Sequence, residues 1–185
     1  MDAIKNITER VSCKKLLKPF PNKDEMKLVY KAALRAPDHR NLKPSNFIEV
    51  TGKSLIKLSD IFFNYAKNNI PNITETKLNK IKNAPFRAPM VVVLISRITN
   101  HPKVPKIEQI LSTGAATQNM LLALNALGYG AIWRTGSLAF NSEICKYFSL
   151  NKYDEIIGYL YIGTPEDRIK KNTKSIINDY VQKWT

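Results

Sequence analysis

The chain reads as an α+β protein, a sheet of four to five strands surrounded by helices. Met90–Ser96 (MVVVLIS) is a nearly unbroken apolar run, the pattern of a central strand buried on both faces. Ala131–Thr135 (AIWRT) and Ile156–Ile162 (IIGYLYI) repeat the signal more briefly. The element order is helix, helix, strand, helices, strand, long helix, strand, helix, strand. It lacks the regular βα alternation of a doubly wound parallel sheet.

At 185 residues, with 44% hydrophobic and 24% charged residues, the chain has globular composition and length for one domain over 1–185. No apolar run approaches the ~20 residues that a membrane helix needs. The opening MDAIKNITER carries no apolar signal-peptide core, so a cytoplasmic protein is expected. Cys13 and Cys145 form no CxxC and no disulfide framework, which fits a reducing compartment.

Residues 2–10 read as a short helix, with Asp2 as N-cap and Ile4 and Ile7 on one face. A loop rich in Lys and Pro follows. Asn22 caps the next helix, and Glu25 three residues on completes a capping-box pattern; Met26, Val29, Ala33 and Leu34 line its apolar face and Pro37 stops it. Residues 38–46 are a polar loop and Phe47–Thr51 a strand. A helix over 54–69 points Leu55, Leu58, Ile61 and Phe62 inward, and a shorter one lies near 75–83. Pro105 opens a long helix that Gly128 ends, with Glu108 in its first turn. Its small middle, Ser112–Thr117, serves tight core packing, a dimer interface or a cofactor wall. Asn141 caps a helix over 141–148. The tail 166–185 is charged up to Ile176-Ile177 and Trp184, which are expected to dock on something.

Twenty-nine Lys and Arg against 15 Asp and Glu give a net charge of +14. Nucleic acid is the first partner such a charge raises. The lysines are spread along the whole chain, with no basic cluster and no aromatics interleaved among them. That pattern is a solvated Lys-rich surface, with steering of anionic small molecules as the sharper reading. Neither nucleic acid nor membrane is expected as a partner. Two histidines are too few for a protein-only zinc site, and the carboxylates are not spaced as a catalytic pair. No GxSxG, P-loop or GxGxxG occurs. Side chains this poor in acid/base chemistry point to a cofactor that carries the hard step.

Three islands hold candidate chemistry. In Arg10-Val11-Ser12, a guanidinium fork and a hydroxyl at a helix end can bind phosphate, or Arg10 simply complements the helix dipole. In Arg35-Ala36-Pro37-Asp38-His39, His39 donates to a cofactor ring or caps a turn. In Gly128–Gly136, glycines bracket a strand carrying Trp133 and Arg134; the first is a core residue or a site wall, and the second needs an anion or solvent.

RVS at 10–12, RAPDH at 35–39, NAPFRAP at 83–89, HPKVPKIEQ at 101–109, GAIWRTG at 130–136 and IIGYLYIGTP at 156–165 are jointly specific in order and spacing. Together the chain resembles the flavin-dependent nitroreductase family, in particular its small single-domain NAD(P)H members. The resemblance implies a mixed sheet and an intertwined homodimer with FMN in two sites between the subunits. It implies hydride transfer from NADH or NADPH through FMN to nitroaromatics, quinones or related small-molecule acceptors. By position, Arg10, Val11 and Ser12 would hold the ribityl phosphate end of FMN. Arg35 and His39 would lie beside the flavin, His39 from the partner's loop. Trp133, Arg134 and Thr135 would form the second wall, and the stretch from Ala123 to Gly128 would meet the nicotinamide nucleotide. No side chain is assigned a catalytic role and no metal is implied. The chain departs from its relatives at Val11, where a second arginine is usual, and at Lys43-Pro44-Ser45, where Gln-Pro-Trp is usual. The alternative is a flavin-binding or flavin-consuming protein without reductase turnover. In either case the tail could extend onto the partner.

Overall fold

The computed structural model describes residues 2–167 and 176–184. Among these residues the α-helices are α1 (Ala3–Glu9), α2 (Lys23–Ala33), α3 (Ser54–Asn69), α4 (Glu75–Lys82), α5 (Lys106–Ala126) and α6 (Ser142–Lys146). Five strands, β1 (Leu16–Leu17), β2 (Ser45–Thr51), β3 (Met90–Ser96), β4 (Gly130–Arg134) and β5 (Glu155–Pro165), form one sheet. The order is β1-β5-β3-β2, with β4 also on β5. Every one of these pairings is antiparallel, so the expected mixed sheet is corrected: the strands described include no parallel pair.

The sheet is the middle of three layers. Val91, Val93 and Ile95 of β3 face one core with Leu55, Leu58, Phe62 and Tyr65 of α3. Met90, Val92 and Leu94 face the other, with Met26, Val29 and Ala33 of α2 and Met120, Leu121 and Leu124 of α5. A strand alternates its side chains between faces, so one covered on both sides must be apolar at every position. All seven residues of β3 are buried for that reason.

β5 obeys the same alternation but breaks it once. Ile156, Tyr159 and Tyr161 face the α3 core, whereas Ile157, Leu160 and Ile162 face the α2/α5 core. The phase changes because Gly158 pairs with Leu94 but Ile156 pairs with Ile95, leaving Ile157 as the extra residue of a β-bulge.

The helix ends follow their local chemistry. Asp2 accepts from Lys5 N, and Asn22 and Glu25 complete the full capping box of α2. α5 buries Gln109, Ser112, Thr113 and Thr117. Thr113 and Thr117 donate to the carbonyls of Gln109 and Thr113, and Gln109 exchanges two bonds with the backbone of Thr99. Gln109, Thr113 and Thr117 are thus satisfied by partners within the chain.

Four expectations change. Leu34 is 67% exposed, because α2 ends at Ala33 before its last apolar residue can turn inward. Pro105 is the N-cap of α5 rather than part of its first turn. β1 escapes sequence reading because two residues in a Lys/Pro loop carry no periodicity; it exists only through pairing with Thr164 and Pro165. Of the tail, 168–175 lies outside the described residues, and Ile176, Ile177 and Trp184 are 66%, 72% and 96% exposed, so they do not dock on their own chain. No helix among the described residues is long and apolar enough to cross a membrane.

Candidate functional site

The first and third islands are neighbours. Arg10 is the C-cap of α1, and two residues beyond Val11 the Cys13 N–H donates to Ala131 O at 3.1 Å. Gly130 makes this approach possible, since a Cβ there would sit 3.0 Å from Cys13 Sγ, Leu16 Cδ2 and Pro165 Cβ. Segment 10–13 thus lies against the start of the strand that carries Trp133 and Arg134.

Both arginines arrive with unmet hydrogen-bonding capacity. Arg10 Nη1 and Arg134 Nε are buried and have no partner among the described residues. An unmatched guanidinium N–H held away from water costs free energy, and a bound anion removes that cost. Arg134 lies over the ring of Tyr161, its Cζ 5.6 Å from the centroid. Burial pushes the Tyr161 phenol up to about 12, against the opposing pull of Arg87 and Arg134. Arg87, from the NAPFRAP segment, is thus a second cation whose charge acts on the same phenol. Ser12 and Thr135 are exposed. Val11 packs against the α3 core and offers no donor side chain.

Trp133 is a fixed wall. Its Nε1–H donates to Ile157 O at 3.1 Å, the carbonyl that the β5 bulge supplies. The indole lies across Gly158, where a Cβ would come within 2.2 Å of Nε1. Its far edge faces α5, with Cη2 3.8 Å from where a Cβ of Gly114 would stand. Gly114 of α5 thus stands beside this ring, at a distance where an added Cβ would make an ordinary contact.

The remaining candidates fall at two other places on α5. Arg35 and Ala123 line one groove of about 350 Å³ with Asn6, Ala32, Asn119 and Leu122. Gly128 follows the helix end with φ +91°, a backbone shape that suits glycine. His39 instead meets the first turn of α5, its Nδ1 2.7 Å from Glu108 Oε2. From Glu108 to Asn119 is about 16 Å along a helix axis at ~1.5 Å per residue. Arg35 and His39, four residues apart in sequence, therefore address opposite ends of α5. A larger groove of about 520 Å³, lined by Phe20, Lys23, Tyr30 and Glu49 among others, contains none of the expected site residues.

Sequence reading passed over Glu108 as a partner of His39, and Arg87, Tyr161 and Gly158 as parts of the site. Gly158 alone carried a local signal, a glycine inside an apolar strand, which marks a bulge or a close approach.

Among proteins of known sequence, "Putative NAD(P)H nitroreductase YdjA" of Escherichia coli (strain K12) is 32% identical over 180 residues, 97% of this chain and 96% of that one. Among solved structures, the nitroreductase-like family protein of Bacillus cereus superposes with a TM-score of 0.84 at 22% identity, covering 100% of this chain and 96% of the other. A mutant of NfnB, described as an FMN and NADPH-dependent nitroreductase derived from sphigopyxis sp. strain HMH, reaches 0.77 at 14% identity, with 98% of each chain covered. The model of the nitroreductase family matches residues 7–164. On that match and the near full-length relative, the chain belongs to the nitroreductase family.

Proposed function

We propose that the protein is an FMN-dependent oxidoreductase of one domain that takes hydride from NADH or NADPH and passes it to a nitroaromatic, quinone or similar acceptor. One observation carries the reading: two buried guanidinium nitrogens, on Arg10 and Arg134, have no partner among the described residues, and each arginine stands three positions from the Cys13–Ala131 bond that joins its segment to the other. A phosphate or an electron-rich ring edge is the complement such groups demand. The family relatives support the chemistry, since YdjA is named for NAD(P)H and nitroreduction and NfnB for FMN and NADPH.

Arg10, with the Ser12 hydroxyl, would hold the phosphate end of FMN; Val11 contributes backbone and packing only. Trp133 would wall the ring, locked in place by Ile157 O and Gly158. Arg134, backed by Tyr161 and accompanied by Arg87, would supply positive charge, with Thr135 at the rim. Bound FMN supplies the two-electron chemistry, so the protein needs no side-chain nucleophile or general base. Its residues orient, screen and neutralise. Arg35 would lie beside the flavin, and the stretch from Ala123, which lines the same groove as Arg35, to Gly128 would meet the nicotinamide nucleotide.

A homodimer completes the site. His39 and Arg35 meet distant turns of α5, so His39 would reach the flavin of a second subunit. Ile107 and Leu111, 57% and 64% exposed one turn apart on α5, offer the apolar face for that contact. A cytoplasmic location fits the thiol pair, both of which are free and buried.

The test is the visible spectrum of the purified protein. A yellow protein that bleaches when NADH or NADPH is added anaerobically, and regains colour with a nitroaromatic or quinone, is expected. A colourless protein that takes up no added FMN refutes the reading. FMN binding without NAD(P)H oxidation by any acceptor would instead favour a flavin-binding or flavin-consuming protein.

A further inference from the structure

We propose that Glu108 is a positioning residue for His39: its carboxylate accepts from Nδ1–H, fixes the ring tautomer and presents Nε2 outward. This rests on the reading above that His39 faces the flavin of a second subunit.

Three features converge on the pair. Glu108 Oε2 lies 2.7 Å from His39 Nδ1, a contact between residues 69 positions apart in sequence. Glu108 occupies the first turn of α5, where the helix dipole favours a carboxylate. Its neighbour Lys106 is engaged with Glu155 and does not compete for it. The loop that presents His39 is itself braced. Asp38 accepts from Leu42 N at 3.0 Å and from Lys43 N at 2.7 Å, while Arg40, Asn41 and Lys43 hold φ of 63°, 54° and 53°. Three left-handed residues persist only where the surroundings over-determine them. Both ends of the contact are therefore held.

A free neutral imidazole in water favours the Nε2–H tautomer. A carboxylate at Nδ1 reverses this, so the neutral ring carries its proton on Nδ1 and offers a lone pair at Nε2, which would accept from a flavin N–H where the sequence suggested a donor. His101 supplies an internal contrast. Its Nδ1 accepts from Lys103 N at 3.1 Å, which selects Nε2–H. The chain's two histidines should thus hold opposite tautomers.

The experiment uses the full chain with ¹⁵N-labelled histidine at a pH where both rings are neutral. Long-range ¹H–¹⁵N correlations should show one Nδ1–H ring and one Nε2–H ring. Glu108→Ala should convert His39 to Nε2–H and leave His101 unchanged. Glu108→Gln, which keeps an acceptor oxygen, should retain Nδ1–H. In parallel, FMN affinity from the quenching of flavin fluorescence should fall 3- to 10-fold in Glu108→Ala and recover in Glu108→Gln. Two Nε2–H rings in the wild type, or FMN affinity unchanged in Glu108→Ala, would overturn the proposal. Failure of the wild type to bind FMN would overturn the functional reading instead, and the tautomer measurement would still decide whether Glu108 sets the ring.

Discussion

Gly158→Ala is a sharp test of how the fold builds the site wall. The added Cβ would stand 2.2 Å from Trp133 Nε1 and 2.7 Å from Arg134 O, at a backbone φ of +144°. Neither neighbour can yield cheaply. Arg134 O belongs to a backbone ladder, and Trp133 Nε1 is bonded to Ile157 O. Overpacking costs about 1–3 kcal/mol. A non-glycine residue at such a φ adds about 1–3 kcal/mol. Loss of the indole bond adds about 1 kcal/mol. We expect a destabilisation of about 3–7 kcal/mol in denaturant unfolding, or roughly 10–20 °C in Tm for a chain of this length. Gly128→Ala is the control, because φ there is +91° but nothing lies within 4 Å of the added atom. It should cost about 1–2 kcal/mol, for strain alone. The Trp133 fluorescence of folded Gly158→Ala should also change as the ring leaves its seat. Equal losses in the two variants, or a Gly158→Ala protein within about 1 kcal/mol of wild type, would refute the close-approach argument.

Other consequences are as direct. Arg10→Ala should weaken FMN binding by about 1–3 kcal/mol, roughly 5- to 150-fold in Kd, read by flavin fluorescence titration. Asn22→Ala removes the bonds to Asp24 N and Glu25 N and should cost about 1–2 kcal/mol in thermal or chemical unfolding, with the absorption of bound FMN unchanged. Leu111→Glu, on the exposed stripe of α5, should shift the mass seen by light scattering from dimer to monomer and release FMN. Burial raises the Tyr161 phenol from its usual 10 to about 12, so its neutral form stabilises the fold fully below pH 10. That contribution should fade between pH 10 and 12, losing about 2–3 kcal/mol by the upper end. Unfolding curves against pH, with phenolate absorbance near 295 nm, would show it.

What the chain alone determined is everything that depends on neighbours in sequence. The MVVVLIS run required a strand covered on both faces, Asn22 and Glu25 fixed the start of α2, and the island motifs carried the family resemblance. What only the tertiary structure decided is every contact across long separations. It showed segment 10–13 seated on Gly130–Ala131, the bulge at Ile157 that gives Trp133 its carbonyl, and Glu108 against His39. It showed too that β1 is a strand and that the sheet has no parallel pair among the strands described. The division is physical. Capping and periodicity are encoded within a turn or two of chain, while a bond between residues 69 or 118 positions apart exists only once burial has already folded the layers together.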